Sequence, residues 1–380
     1  MELDLNEIRK TIDETDEKLV ALFEKRMGLA SRVATYKKER NLPILDSKRE
    51  EMVTEKNVLH LSNKEYAPYL EDFLKQLMQI SRSYQSTLLV NEATTWQSVL
   101  GNLPVSEVTK NPKVGYSGTV GSYGEMAALD YFRDSQPICY QTFEEVVNGV
   151  LDGSLDYGVI PLENTSSGGV LDAVRLLEKS PVYIVGEAAV AAEHCLLGIG
   201  TIDEIKTIYS HVQCFLQCSE YLKDKPWHQV PYFNTAISAA YVKERKDPSK
   251  AAIASKRAAE VYGLKVLKEN IYHNKKNYTR FGIIKKSMEV SDEANKISID
   301  FVLDDKQGSL HPIIKTIAEH HLNIMKIESK PMLGTPWEYV FFIDFSGNLR
   351  DNEVKRALLE IKENSKEFHF KGNYIENTGG

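Results

Sequence analysis

The stretch Asp156-Tyr157-Gly158-Val159-Ile160-Pro161-Leu162-Glu163-Asn164-Thr165-Ser166-Ser167-Gly168-Gly169-Val170 decides how the centre of this chain is interpreted. It begins as a short apolar run that ends at Pro161, which predicts a buried strand. The apolar residues from Val170 to Leu177 are then spaced as one face of a helix. The turn between strand and helix consists almost wholly of carboxylate, amide, hydroxyl and glycine groups. Such a turn can bind a small anion, because the first N–H groups of a helix lack partners. A plain helix cap rich in Ser and Gly is the alternative.

The composition limits the class of protein. The chain has 380 residues, which is enough for two or three domains, and 42% of them are hydrophobic and 27% charged. The formal net charge of −7 argues against nucleic-acid binding that rests on bulk charge. No apolar run approaches the length of a membrane span, and the N-terminus is acidic and amphipathic rather than signal-like. We therefore expect a cytoplasmic protein with neither nucleic acid nor membrane as a partner.

The cysteines and the second glycine-rich turn argue against a metal or a nucleotide cofactor. Cys139, Cys195, Cys214 and Cys218 show no CxxC spacing, and we expect them to be reduced core thiols. The segment Gly118–Glu125 follows a predicted strand and precedes a predicted helix, but it lacks the GxGxxG spacing of a dinucleotide site. The chain is therefore expected to use no cofactor.

A long N-terminal helix carries two cations on its apolar stripe. Residues from about Leu3 to Lys38 contain no proline, and Arg26 and Lys37 fall in line with the apolar positions. A buried cation is costly unless a counter-charge neutralises it, so the pair favours an anion-binding core. An arginine that reaches water at the edge of a bundle is the alternative. The helix would be about 50 Å long at 1.5 Å per residue, and one small bundle cannot cover it, so we expect a homodimer or a higher homo-oligomer.

Two further helices are predicted before residue 90. Ser47 and Glu50 have capping-box spacing, which predicts a second helix with Arg49 in its first turn. A third helix begins near Tyr66, and Ser81 and Gln85 lie on its apolar side, one turn apart. Polar residues on an apolar stripe need partners, either a local hydrogen bond or a bound ligand.

These polar residues resemble the all-helical class of chorismate mutase over about residues 1–90. The resemblance implies a bundle that rearranges chorismate to prephenate by holding a dicarboxylate in its folded conformer, without covalent catalysis. It implies that Arg26 and Arg49 clamp carboxylates, that Lys37 donates to the ether oxygen with Gln85 nearby, and that a partner chain supplies Arg9. The residues that carry the resemblance are Arg9, Arg26, Lys37, Asp46, Arg49, Glu50, Ser81 and Gln85.

The central region, about residues 113–286, alternates predicted strands and helices with a crossover in the middle, which suggests two α/β lobes with a cleft between them. The Glu163–Gly168 run, Ser210-His211 and the Asn277–Phe281 run together resemble prephenate dehydratase. That family's fold is two-lobed, like a periplasmic binding protein, and it converts prephenate to phenylpyruvate with loss of carbon dioxide and water.

The resemblance to prephenate dehydratase also implies roles for individual residues. Thr279 would assist departure of the ring hydroxyl by hydrogen bonding or proton relay, since a hydroxyl is a weak acid. His211 is either a site residue or a structural one. The residues implied to hold the carboxylates are Asn164, Thr165, Ser166 and Arg280.

The C-terminal segment has the predicted order βαββαβ, which implies a ferredoxin-like unit. Its Gly308-Ser309-Leu310 and Glu328-Ser329-Lys330-Pro331 turns resemble those of the ACT regulatory domain. That family binds phenylalanine between paired domains and gives feedback inhibition. The implied regulatory residues are Gly308, Leu310, Asn323, Glu328 and Ser329.

In this order the three resemblances imply a multidomain, bifunctional enzyme of phenylalanine biosynthesis. The expected architecture is an all-α mutase bundle at 1–92, a linker at 93–111, a two-lobed α/β dehydratase at 112–287 and an α+β ACT domain at 295–375. A metabolite-sensing binding protein without turnover is one alternative. The other is a dehydratase whose helical segment only dimerises.

Overall fold

The computed structural model describes residues 4–40, 42, 44–89, 96–289, 291–332, 335 and 338–377. The chain divides into two compact units. The first combines residues 1–101 with 302–322 and 349–368, and the second combines 102–301 with 323–348 and 369–380. The predicted helix start at Leu3, the first residues of the predicted linker and the predicted strand start at Trp337 lie outside the described residues.

Thirteen α-helices and fifteen strands occur in the described ranges. The helices are α1 (Leu5–Glu39), α2 (Ser47–Leu59), α3 (Ala67–Leu89), α4 (Trp96–Leu100), α5 (Tyr123–Tyr131), α6 (Phe143–Asp152), α7 (Leu171–Lys179), α8 (Val212–Gln217), α9 (Ser219–Leu222), α10 (Thr235–Arg245), α11 (Lys256–Tyr262), α12 (His311–Glu319) and α13 (Asn352–Glu363). The strands are β1 (Val114–Ser117), β2 (Ile138–Tyr140), β3 (Tyr157–Asn164), β4 (Gly168–Gly169), β5 (Tyr183–Ala191), β6 (Cys195–Gly198), β7 (Thr207–Ser210), β8 (His228–Pro231), β9 (Lys250–Ala254), β10 (Lys265–Lys268), β11 (Tyr278–Lys285), β12 (Lys296–Val302), β13 (Ile324–Pro331), β14 (Tyr339–Ser346) and β15 (Glu367–Tyr374).

The first unit is built on α1, which packs along α3, and α2 also packs against α3. The long first helix is confirmed, and Asp4 caps it by accepting a hydrogen bond from the Asn6 N–H. The apolar stripe of α1 is largely uncovered within the chain. Its residues Ile12, Leu19 and Leu22 are 52%, 50% and 63% exposed. No helix of the described residues is both long and apolar enough to cross a membrane.

Helices α12 and α13 also belong to the first unit. They pack on each other, and α13 lies against α3 and α4. Lys315 of α12 donates to Gln79 of α3 at 3.4 Å. Burial, and the neighbouring Glu360 carboxylate, raise the pKa of Glu363 on α13 to about 6, although Arg82 and Lys37 act against the shift. Glu363 is therefore charged at neutral pH at a cost to folding.

We expect Glu363→Gln to stabilise the protein by about 1 kcal/mol at pH 7.5, from a shift of roughly 2 kcal/mol reduced by solvent screening. The folded pKa of about 6 lies above the ordinary value of 4.5, so the folded state binds the proton more tightly. Stability of the unchanged protein therefore rises as the pH falls from about 7 towards 4.5, and the glutamine variant has no such rise. Urea unfolding followed by circular dichroism at both pH values checks this. The same gain at pH 4.5 as at pH 7.5 would contradict it.

The second unit contains three sheets. The first has the order β2-β1-β3-β11-β5 with β4 paired to β3, and the second has the order β10-β6-β9-β7-β8. The chain enters the second sheet after β5 and returns after β10, so the two α/β lobes expected from the sequence are present. The third sheet has the order β13-β14-β12-β15, which is the strand order of a ferredoxin-like fold.

The polar turn after β3 differs from the prediction. The strand continues through Pro161 to Asn164, and β4 pairs back on it, with Asn164 opposite Gly168. The turn between them therefore closes a hairpin, and Gly168 has the left-handed φ of 80° that the hairpin requires. Helix α7 begins only at Leu171, and its cap residue Val170 makes no side-chain cap bond. The predicted anion site at a helix N-terminus after Asn164 is wrong, because the hydroxyl and amide groups lie in the hairpin.

Three of the four cysteines are buried and free, as expected, but Cys139 is exposed and is not a core thiol. It lies on β2 at the edge of the first sheet, where only β1 pairs with the strand. A short edge strand has one side without a neighbouring strand, and two of the three residues of β2 are exposed.

Candidate functional site

A cavity of about 410 Å³ lies among α1, α2 and α3, and we call it the helical cavity. Seven of the eight polar residues predicted to form one site line it. They are Arg26, Lys37, Asp46, Arg49, Glu50, Ser81 and Gln85. The structure therefore brings together side chains that are up to 59 positions apart in the sequence. Arg9 does not join them, since the 17 residues to Arg26 span about 25 Å of α1 at 1.5 Å per residue.

The cationic groups of the helical cavity are held by main-chain and side-chain acceptors. Arg26 donates to the Leu77 carbonyl at 3.3 Å and to the Ser81 hydroxyl. Lys37 donates to the Ile44 carbonyl. Burial lowers the pKa of Arg26, and Glu50 opposes part of that shift. An arginine with its pKa lowered by burial stays charged at neutral pH, and an anionic ligand would restore the lost solvation.

Arg82 also lines the helical cavity, and the sequence reasoning missed it. It forms an ion pair with Glu50. Its position next to Ser81, and one turn before Gln85, was the signal that could have identified it. The cavity lining has four cations and two carboxylates, a formal excess of two positive charges. This excess suits a ligand that carries two negative charges.

Two details of the helical cavity bear on ligand binding. The Gln85 Oε1 atom is buried, and the described residues offer it no hydrogen-bond partner. An unpaired buried acceptor costs about 1–3 kcal/mol, so a ligand donor, or rotation of the amide to present its N–H₂ group, would relieve it.

Asp46 caps α2 by accepting from the Arg49 N–H at 3.0 Å, in the place predicted for Ser47. This cap fixes the start of α2, and with it the position of Arg49.

A second polar group surrounds Thr279, where β11 runs antiparallel to β3 with Thr279 opposite Asn164. We call Asn164, Ser166, Gln217, Asn277 and Thr279 the Thr279 cluster. The Asn164 side-chain amide donates to the Thr279 hydroxyl at 3.0 Å and to the side-chain Oδ1 of Asn277 at 2.9 Å. Ser166 donates to that same Asn277 oxygen at 3.1 Å. Because the Thr279 oxygen accepts a hydrogen bond, its own O–H can be directed at a ligand.

The buried side of the Thr279 cluster was missed from the sequence. Gln217 and Asn277 are buried, and the Asn277 amide donates to Gln217 Oε1 at 3.1 Å. His194, also buried, contacts that oxygen at 2.7 Å through Nε2 and the Tyr123 hydroxyl at 2.9 Å through Nδ1. Burial would lower the pKa of His194, but the Cys214 thiol beside it raises the pKa above its ordinary value. Gln217, at the end of α8 beside its apolar residues, is the feature of the sequence that could have indicated this buried part of the cluster.

Two residues predicted for this site, Thr165 and His211, make hydrogen bonds that stabilise the fold. The Thr165 hydroxyl donates to the Lys276 carbonyl and accepts from the Tyr278 N–H, both at 2.9 Å, so it ties the hairpin to β11 instead of facing a ligand. His211 caps α8, where Nδ1 accepts from the Gln213 N–H at 3.2 Å. This is a structural role, one of the two that the sequence left open.

The Arg280 side chain differs most from its predicted role. Successive side chains of a strand point to opposite faces, so Arg280 faces away from Thr279. It is bonded to Glu163 at 2.9 Å and to Glu187 and Asp344 at 3.1 Å each. Burial would lower the pKa of Arg280, but these carboxylates, led by Asp344, raise it above its usual value. With three carboxylate partners, Arg280 is not available to hold a ligand carboxylate as predicted.

The residues predicted to bind an amino acid fall in both units. In the first, Gly308 has a φ of 80° in the turn before α12, and Leu310 precedes that helix. In the second, just before β13, the Asn323 carbonyl accepts from the Ser346 N–H and the Asn323 N–H donates to the Ser346 hydroxyl, both at 2.9 Å. Glu328 and Ser329 lie on β13, and Glu328 forms ion pairs with Lys326 and Lys330 at 3.4 Å each.

Two family profiles match the chain. Chorismate mutase type II matches residues 8–86, which include all the predicted residues of the helical cavity. Prephenate dehydratase matches residues 114–289, which include the Thr279 cluster. A bifunctional chorismate mutase/prephenate dehydratase of Enterobacter agglomerans is 32% identical over 377 residues, which cover 97% of this chain and 95% of the relative.

Two solved structures are each similar to 70% of the chain. A prephenate dehydratase of Arthrobacter aurescens in complex with L-Phe has 27% identity and a TM-score of 0.64, covering 70% of this chain and 90% of that one. A chain described as GqqA, a novel type of quorum quenching acylase, has the same identity and TM-score and covers 70% of this chain and 98% of its own.

Proposed function

The chain belongs to the family of bifunctional chorismate mutase/prephenate dehydratases, and we propose that its two polar sites carry one activity each. The helical cavity rearranges chorismate to prephenate. The Thr279 cluster converts prephenate to phenylpyruvate, in an enzyme of phenylalanine biosynthesis. The observation that carries this proposal is the pairing of a dicationic cavity in the first unit with a threonine-centred hydrogen-bond cluster in the second.

Chorismate is a dianion, and its rearrangement needs no covalent partner. Arg26 and Arg49 would each hold a carboxylate, so that the substrate stays in its folded conformer. Lys37 would donate to the ether oxygen, where negative charge develops as the bond breaks, and Gln85 would assist through its N–H₂ group. The excess of two positive charges in the lining supports this assignment. Asp46, Glu50 and Ser81 would fix the cations and the ring of the substrate.

Prephenate loses its ring carboxylate as carbon dioxide and its ring hydroxyl as water, with uptake of one proton and formation of an aromatic ring. Thr279 would donate a hydrogen bond to the departing hydroxyl, because its oxygen already accepts from Asn164. Asn164, Ser166 and Gln217 would orient the substrate through their amide and hydroxyl groups. Thr165 and His211 would hold the hairpin and α8 in place.

Two copies of the chain would complete the mutase bundle. The exposed apolar stripe of α1 is the surface that a second copy would cover, as a homodimer or within a higher homo-oligomer. In that assembly Arg9 would come from the partner chain, because about 25 Å of helix separates it from Arg26 of its own chain.

We expect Arg9→Ala to lower the mutase kcat/KM about tenfold or more, by loss of a charged hydrogen bond to a substrate carboxylate. The protein should remain an oligomer, because Arg9 lies on the flank of the stripe. Mutase kinetics and sedimentation velocity measure both properties, with the exposed Arg32→Ala as the matched control. Unchanged mutase kinetics in Arg9→Ala would contradict the assignment of Arg9.

The C-terminal sheet would form an ACT domain that binds phenylalanine and inhibits the dehydratase. Its βαββαβ order and strand arrangement support this, as does the L-Phe complex of the Arthrobacter relative. The residues proposed to bind phenylalanine are Gly308 and Leu310 of the first unit and Asn323, Glu328 and Ser329 of the second. We place the domains at 1–92, 112–287 and 295–375 with a linker at 93–111, and the enzyme in the cytoplasm.

A coupled assay on the purified protein tests the proposal as a whole. Chorismate is supplied, and prephenate and phenylpyruvate are followed separately with and without phenylalanine. Formation of both products, with phenylpyruvate suppressed by phenylalanine, is the expected result. Consumption of added prephenate but not of chorismate would reduce the helical segment to a dimerisation element. Binding of phenylalanine without any turnover would favour a metabolite sensor.

A further inference from the structure

We propose that Arg280 is a positioning residue that couples the C-terminal sheet to Thr279. It would hold the strand that carries Thr279 in register and transmit the position of β14 to that strand. This inference rests on the proposed function, because it assigns a route for the regulation of the dehydratase site. The contacts that carry it all lie within the second unit.

Arg280 and Thr279 are neighbours on β11 and face opposite sides of the sheet. Thr279 lies opposite Asn164 of β3 and Val190 of β5, and Arg280 lies next in both registers. The β3–β11 pairing shifts register directly after Arg280. The ladder is therefore irregular at this point, and side-chain contacts of Arg280 have to fix what the main chain leaves less constrained.

The partners of Arg280 come from three different strands. Glu163 belongs to β3, Glu187 to β5 and Asp344 to β14, so one guanidinium joins the first sheet to the C-terminal sheet. The side chain of Glu187 is fully buried and that of Arg280 is 12% exposed. Lys296 of β12 also pairs with Glu187, at 3.2 Å. Three carboxylates together therefore hold this guanidinium, and Asp344 is the one that the C-terminal sheet supplies.

Asp344 is fixed from the C-terminal side. The Ser298 hydroxyl of β12 donates to it at 2.6 Å, and that hydroxyl also contacts the Tyr374 hydroxyl of β15 at 2.8 Å. A movement of β14 against β12 would therefore displace a carboxylate of Arg280. Arg280 would respond by shifting the β11 backbone, and with it the adjacent Thr279.

Two further contacts join the same pair of sheets. Lys326 of β13 bonds Glu163 at 2.5 Å, and burial would raise the pKa of Glu163 but Arg280 and Lys326 hold it below its ordinary value. Glu328 of β13 lies over the hairpin, with its carboxylate oxygens 3.0 and 3.1 Å from where a Cβ on Gly169 would stand. The strand that carries the proposed phenylalanine ligand Glu328 thus lies against the hairpin that carries Asn164 and Ser166.

The first test separates positioning from substrate binding. Arg280→Lys keeps the charge but loses the planar fork that reaches three carboxylates. We expect the dehydratase kcat to fall about 10–100-fold with KM within about threefold, because Thr279 is displaced while the substrate contacts remain. The mutase kcat, measured on the same sample, should not change. A KM increase of about tenfold or more with kcat retained would overturn the proposal, because it would place Arg280 on the substrate.

The second test separates coupling from a purely structural role. Asp344→Asn is isosteric and leaves Arg280 paired with Glu163 and Glu187. We expect a basal dehydratase kcat within about threefold of wild type, and a rise of about tenfold or more in the phenylalanine concentration for half inhibition. Glu269→Gln, which removes the exposed ion pair with Lys256, is the matched control and should change neither value.

The outcomes are distinguishable from failure of the proposed function. Wild-type turnover of prephenate and its inhibition by phenylalanine are measured first, and their absence would refute the function itself. If wild type is active and inhibited, undiminished inhibition of Asp344→Asn would overturn the coupling role. Thermal unfolding of each variant identifies a loss of fold. A destabilised Asp344→Asn that shows normal inhibition at a permissive temperature would likewise count against the proposal.

Discussion

Thr279→Ala is expected to lower the dehydratase kcat by about 10²–10⁴-fold, the usual contribution of a group that assists proton transfer. The mutation removes the hydroxyl that accepts from Asn164 at 3.0 Å and that would donate to the departing hydroxyl of prephenate. KM should change little, because the remaining members of the Thr279 cluster would still bind the substrate. Steady-state kinetics with prephenate as the added substrate provide both constants.

Thr279→Ser is the matched variant, because it keeps the hydroxyl and loses only a methyl group. We expect it to retain most of the activity that Thr279→Ala loses. The mutase kcat should be unchanged in both variants, since the helical cavity belongs to the other unit. Equal loss of the two activities in Thr279→Ala would contradict separate sites. Full dehydratase activity in that variant would remove Thr279 from the reaction.

The second large effect is expected for Arg26→Ala, which should lower the mutase kcat/KM by about 10³-fold or more. Loss of one preorganised charged donor costs about 10²–10³ in rate, and Arg26 would in addition bind the substrate carboxylate. Arg26 also bonds Ser81 and the Leu77 carbonyl, so its loss frees groups that line the cavity. Chorismate consumption, corrected for the enzyme-free rate, is the measurement.

Arg32→Ala, an exposed substitution on the same helix, controls for general effects on α1. Arg26→Ala should still convert added prephenate at the wild-type rate. Mutase activity unaffected by Arg26→Ala would mean that the helical segment serves only for dimerisation. That result would leave the chain with one activity.

The grouping of polar residues in the helical cavity could be predicted because its sequence signal is periodic. A helix places residues three or four positions apart on one face, so Arg26, Lys37, Ser81 and Gln85 could be recognised as polar interruptions of apolar stripes. Arg82 was missed, because its position next to Ser81 was the one signal in the sequence, and surface cations often lie beside such a stripe. Its ion pair with Glu50 is seen in the structure.

The Thr279 cluster was predicted less completely because strands and turns carry shorter sequence signals. The turn at Asn164 suits either a hairpin or a helix cap, and only the pairing of β4 with β3 decides between them. The alternation of side chains along β11 could be predicted from the sequence, and it places Thr279 and Arg280 on opposite faces of the sheet. The partners of Arg280 lie far away in the sequence, Asp344 by 64 positions and Glu163 by 117, and no local pattern indicates them.

The most direct test of two separable sites is a mixing experiment with Thr279→Ala and Arg26→Ala at neutral pH. Given chorismate alone, Thr279→Ala should accumulate prephenate, and Arg26→Ala should leave chorismate unconsumed beyond the enzyme-free rate. An equal mixture of the two should produce phenylpyruvate, because prephenate formed by one variant is used by the other. No phenylpyruvate from the mixture, together with loss of both activities in either single variant, would contradict two independent sites in one chain.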